Sequence, residues 1–81
     1  MEKQKRTFRQ IALDIKSTWL NVYFGAVPYL EAMLKLDTSD PEAKYYLESA
    51  SDIARYFLAN AQTFRGADAR KLKEELKELI K

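Results

Sequence analysis

The sequence predicts an all-α protein, a small antiparallel three-helix bundle. Three observations lead there. Apolar residues recur at helical spacing over long stretches, above all in residues 41–64. Helix-breaking residues are rare, with two glycines and two prolines. The chain has 81 residues, of which 47% are hydrophobic, which is enough for one folded domain over residues 7–81.

The first helix is predicted over residues 7–36, after a frayed basic segment at residues 1–6. Thr7 stands three residues before Gln10, which is the spacing of a capping box. Most apolar residues of this helix form one arc. A smaller lobe, separated from that arc by Arg9 and Lys16, holds Leu13, Leu20 and Phe24.

The segment Gly25–Pro28 is the weak point of this first helix. Proline costs a helix interior about 3 kcal/mol, which predicts a kink or a break there. No capping residue stands at Gly25–Val27 to start a new helix, and the apolar phase continues beyond Pro28, so a kink is favoured. A complete break would make the bundle one of four helices.

The central helix is predicted over residues 41–64. Ser39 and Glu42 have capping-box spacing, Pro41 suits a first helical turn, and Gly66 suits a helix end. The predicted core face of this helix comprises Ala43, Tyr46, Leu47, Ala50, Ile53, Ala54, Phe57, Leu58, Ala61 and Phe64.

The last helix is predicted over residues 68–80, with Asp68 as its cap. Its narrow apolar stripe is typical of a helix laid on the edge of a bundle. The stripe consists of Ala69, Leu72, Leu76, Leu79 and Ile80.

Composition argues against catalysis. The chain contains no histidine and no cysteine, so the usual bases, nucleophiles and soft metal ligands are missing. We therefore expect no enzyme, no cofactor, no metal and no small-molecule substrate. The absence of cysteine favours the cytoplasm. The longest uncharged run, residues 17–30, has fourteen residues and is too short to span a membrane.

Protein–protein interaction is the predicted function: a small non-enzymatic binding or regulatory module, with a homodimer as one form. Tyr45 and Tyr56 lie on the predicted outer side of the central helix, and tyrosine is enriched at interfaces. The candidate interface comprises Tyr45, Ser49, Asp52, Tyr56 and Thr63, with the lobe Leu13, Leu20 and Phe24 as a second surface. The competing interpretation is that these side chains form a second layer of core.

A nucleic-acid-binding accessory protein is the alternative. Both chain ends are basic, although the net charge is only +2. The candidate phosphate contacts are Lys3, Lys5, Arg6, Arg9, Arg70, Lys73, Lys77 and Lys81. Lysine- and glutamate-rich terminal helices are also ordinary solvated surfaces, which is the competing interpretation of the same residues.

Overall fold

A computed structural model of the protein describes residues 5–81. This part of the chain is mostly helical, as predicted, but it contains four α-helices and a two-stranded antiparallel sheet instead of three helices. The elements in chain order are α1 (Phe8–Thr18), a 3₁₀ turn (Phe24–Ala26), α2 (Val27–Leu34), β1 (Lys44–Tyr45), β2 (Glu48–Ser49), α3 (Ala50–Ala59) and α4 (Ala67–Leu79).

The start of α1 confirms the predicted capping box. The Oγ1 atom of Thr7 accepts a hydrogen bond from the Gln10 amide at 3.1 Å, and the Gln10 side chain accepts one from the Thr7 amide at 3.0 Å. Phe8 and Arg9 amides also donate to the carbonyls of Thr38 and Leu36. The first turn of α1 is therefore held both by its own cap and by the segment after α2.

The first helix is broken, and the break lies earlier than Gly25–Pro28. α1 ends at Thr18, where Trp19 takes an extended conformation with φ −96° and ψ 91°. The indole stacks on Phe64 with 5.0 Å between ring centroids and meets Phe57 edge-on at 6.1 Å. Trp19 is only 6% exposed. Burying this large ring offsets the helical hydrogen bonds lost at the break.

The new helix α2 begins without a capping side chain, contrary to the prediction that a helix start at this point needs one. The 3₁₀ turn leads into it, with the Ala26 amide donating to the Tyr23 carbonyl at 2.8 Å. Pro28 occupies the second position of α2, where its missing N–H leaves one fewer donor to satisfy. Proline therefore helps to start α2 instead of kinking a longer helix.

The predicted helix over residues 41–64 is wrong at its start. The Asp40 side chain accepts a hydrogen bond from the Glu42 amide at 2.9 Å, and Thr38 Oγ1 accepts one from the Asp40 amide at 3.1 Å. These local bonds favour a turn over a helix. α3 begins only after Ser49, whose Oγ accepts from the Asp52 amide at 3.1 Å.

Residues 44–49 form a tight hairpin, in which Lys44 pairs with Ser49 and Tyr45 with Glu48. Its two-residue tip places Tyr46 at φ +58°, a region that glycine and asparagine normally occupy. Tyr46 is 85% and Leu47 is 93% exposed, so their prediction as core residues is wrong. At the tip of the loop, the Tyr46 ring meets only the edge of the Tyr45 ring, with 4.7 Å between ring centroids, which leaves most of its surface in solvent.

The central helix also ends early, at Ala59. The Asn60 side-chain amide donates to the Tyr56 carbonyl at 2.9 Å and so satisfies a carbonyl of the last turn. Gly66 does not end this helix but precedes α4, with φ +114°. Ala61 and Phe64, in the turn between the two helices, are nevertheless buried as predicted.

α4 is held against the rest of the fold by its apolar stripe and by ion pairs that Arg6 makes with Glu75 and Asp14. Ala69, Leu72, Leu76 and Leu79 are buried. Arg6 makes a two-pronged ion pair with Glu75, at 2.6 and 2.7 Å, and a third bond to Asp14 at 2.6 Å. These contacts raise the pKa of the Arg6 guanidinium. The predicted frayed segment is therefore ordered at Arg6, while residues 1–4 lie outside the described part.

We predict that replacing Arg6 weakens the attachment of α4. Arg6→Ala removes both carboxylate contacts, and its side chain is about one-third exposed, so solvent reduces the loss to about 1 kcal/mol of unfolding free energy. Urea unfolding at low and high salt measures it. Arg55→Ala is the matched control, because Arg55 makes a single exposed pair with Asp52. Equal losses of unfolding free energy in the two variants would contradict the prediction that the Arg6 ion pairs help to hold α4.

We also predict that Tyr46→Gly stabilises the fold, by roughly 0.5–1 kcal/mol, because it removes the side chain that disfavours a positive φ. Leu47→Gly is the control, since Leu47 has a negative φ and the same exposed position. Thermal unfolding of both variants compares the two. A loss of stability in Tyr46→Gly equal to that in Leu47→Gly would show that the turn is unstrained.

Candidate interaction surfaces

The polar residues of the predicted tyrosine surface have local structural roles. Ser49 caps α3 through the Asp52 amide. The Asp52 carboxylate in turn pairs with Arg55 at 3.0 Å and lies in the first turn of α3, where a negative charge is favourable. Both side chains are therefore accounted for by the start of the helix.

The tyrosines and Thr63 are not brought onto one helix face, because α3 covers only Ala50–Ala59. Tyr45 lies on β1 and packs partly buried against the core. Tyr56 is 46% exposed, and its ring lies 5.4 Å from that of Tyr29. Thr63 is exposed in the turn after α3. Tyr45 thus packs as a second layer on the core, which was the alternative to its being an interface residue.

The predicted apolar lobe is exposed. Leu20 and Phe24 are 84% and 79% exposed, and Leu13 on α1 is 46% exposed. The structure adds Tyr23, whose ring lies 4.9 Å from that of Phe24. We call Leu20, Tyr23 and Phe24 the loop cluster. Its residues lie in the connection between α1 and α2, where Trp19 turns inward and leaves Leu20 in solvent.

Gly25 holds the loop cluster close to the end of α3. A Cβ atom at Gly25 would lie 2.6 Å from Cε2 of Tyr23 and 3.0 Å from the side-chain oxygen of Asn60. Only glycine lets the backbone pass between these two side chains without moving one of them. The exposed apolar side chains are thus presented on a connection packed against α3.

Sequence reasoning missed the hairpin tip, Tyr46–Leu47, as an exposed apolar pair. One signal was present. Ser49 stands three residues before Asp52, which is an N-cap spacing as good as that of Ser39 and Glu42. Choosing this later cap would have left residues 44–47 outside the helix.

A basic groove lies where the turn after α3 meets α4. Arg65, Arg70, Lys73 and Lys77 line it, together with Phe64, Gly66, Ala67 and Glu74, around a volume of about 690 Å³. We call these residues the basic groove. Arg65 was not among the predicted phosphate contacts, because it precedes the last helix in the sequence.

Lys73 is the central cation of the basic groove. Its ammonium nitrogen lies 5.7 Å from the centre of the Phe64 ring, at cation–π distance. Its pKa is lowered, first by partial burial and then by repulsion from Lys77 and Arg65. The groove therefore holds positive charges that repel one another.

The basic residues near the start of the chain do not extend this groove. Arg6 is engaged by Glu75 and Asp14, and Arg9 donates to the Leu34 carbonyl at 3.3 Å. Lys5 lies beside α4 in a surface lined by Glu74, Glu75 and Glu78. Lys3 lies outside the described residues. At the far end of α4, Lys81 pairs with Glu78 at 3.5 Å.

No protein-family model, curated protein or solved structure matches this chain. Within residues 5–81, no group of three or more acidic side chains is placed to hold a metal ion. None of the helices in that range is both long and apolar enough to cross a bilayer.

Proposed function

We propose that this protein is a small non-enzymatic interaction module that acts in the cytoplasm and binds its partner through the loop cluster. The observation that carries the proposal is the exposure of Leu20 and Phe24, at 84% and 79%. Clustered apolar side chains exposed on a small domain mark binding surfaces more often than isolated ones do. The aromatic pair Tyr23 and Phe24 has the composition of an interface core.

The partner we propose is a second copy of the chain. A two-fold axis brings the same patch of both copies together, so an apolar patch meets a surface of matching chemistry. Burying Leu20 and Phe24 from each copy contributes about 1.5–3 kcal/mol per side chain. Because association costs on the order of 4–15 kcal/mol, the net result is a weak dimer that forms in the micromolar range or above.

The absence of histidine and cysteine supports a binding role over a catalytic one. A weak dimer is well suited to regulation, because small changes in concentration change its population.

The prediction is that Leu20→Glu with Phe24→Glu abolishes dimerisation and leaves the fold intact. Both side chains are exposed, so charges there cost little in the monomer but oppose one another across the interface. Sedimentation equilibrium across the micromolar range gives the mass, and circular dichroism checks the fold.

Leu47→Glu is the matched control, because Leu47 is an equally exposed leucine on the hairpin tip. It should dimerise like the unmodified chain. If Leu47→Glu dissociates the dimer and the double variant does not, the interface is the hairpin. If the unmodified chain stays monomeric throughout, self-association through the loop cluster is wrong.

A further inference from the structure

We propose that the basic groove binds the phosphate backbone of a nucleic acid, without reading its sequence. This inference is independent of the loop cluster and does not require dimerisation. It retains Arg70, Lys73 and Lys77 from the sequence hypothesis, adds Arg65, and does without the basic residues at the start of the chain.

The first argument is charge. Four cations line the groove against the single carboxylate of Glu74, which leaves a local charge of +3, more than the +2 of the whole chain. Lys77 lies 3.8 Å from that carboxylate. Within residues 5–81, neither Arg65 nor Arg70 forms an ion pair, although Arg70 also borders the surface that contains Glu75 and Glu78. Arg65 makes only a bond to the Gln62 carbonyl at 3.2 Å.

The second argument is the position of Lys73. Phe64 and the groove walls partly remove its ammonium group from water, while Lys77 and Arg65 repel it. An anion placed between these cations would offset the repulsion, and phosphate oxygens are strong partners for both lysine and arginine.

The third argument is spacing. Arg70, Lys73 and Lys77 follow one side of α4, and seven residues of helix rise about 10 Å. That distance corresponds to roughly three base-pair steps of 3.4 Å along a duplex. Phe64 is only 2% exposed and therefore cannot stack on a base. The groove thus offers charged side chains to phosphates and no ring on which a base can stack.

The test uses fluorescently labelled duplex DNA of mixed sequence and measures affinity as a function of salt. Four neutralised phosphates predict a slope of about −3.6 in log affinity against log salt. Affinity should therefore fall about 150-fold between about 50 and 200 mM salt. Two unrelated duplex sequences should bind alike.

Variants locate the site. Arg70→Ala and Lys73→Ala should each weaken binding and reduce the slope by about 1. Lys71→Ala is the matched control: Lys71 is exposed on the same helix, about 200° around it from Lys73. Arg65→Ala tests the groove without altering α4, in case Lys73→Ala disturbs packing on Phe64. Circular dichroism confirms that each variant is folded.

Four outcomes would overturn the proposal. These are no binding at low salt, equal loss of affinity in Lys71→Ala and Lys73→Ala, strong preference for one sequence, and binding to vesicles containing phosphatidylserine without binding to DNA. The Leu20→Glu, Phe24→Glu variant should keep the full salt slope per chain, so failure of the dimer and failure of this site are distinguishable.

Discussion

The structure depends on the burial of Trp19 between Phe57 and Phe64. The indole leaves α1 to stack on Phe64, and this single placement ends the helix. It also requires Phe64 to be held in the turn after α3, where it joins the first part of the chain to the last. Both candidate surfaces follow. Turning Trp19 inward leaves the adjoining Leu20 exposed, and the same Phe64 ring lies beneath Lys73 in the basic groove.

The polar contacts act around this aromatic centre instead of within it. The core of the described residues contains no buried polar or charged side chain. The polar contacts lie at the ends of the helices. Thr7 and Ser49 cap α1 and α3, and Arg6 pairs with Glu75 on α4 and Asp14 on α1. These contacts decide where helices begin and how α4 lies, while apolar burial supplies most of the stabilisation. Exposed side chains such as Leu20 and Phe24 can therefore vary at little cost to the core.

The candidate surfaces could be predicted in part. Leu20 and Phe24 were identifiable because helical spacing places them outside the main apolar arc, although the structure puts both after the end of α1. The cations of α4 were identifiable because helical spacing alone places Arg70, Lys73 and Lys77 on one side. The engagement of Arg6 was not identifiable, because its partner Glu75 lies far away in sequence and meets it only in the folded chain. Arg65 is close to the other groove residues in sequence, but it precedes α4 and so falls outside the helical spacing that singled out the other cations. The residues of the predicted tyrosine surface do not share one helix face, because that prediction assumed one uninterrupted helix and α3 covers only Ala50–Ala59.

The sequence by itself determined the helical class, the capped start of α1, the apolar stripe of α4 and the burial of Phe57, Ala61 and Phe64. These features depend on local spacing, which is present in any short window of the chain. Only the tertiary structure decided where the long apolar stretches are interrupted. A continuous helix and a broken one share the same periodicity, and the choice rests on long-range burial of Trp19 and on local bonds at Asp40 and Ser49 that compete with helix. The free energy of burying Trp19 depends on Phe57 and Phe64, which come close to it only in the folded chain, so no single segment of sequence contains it.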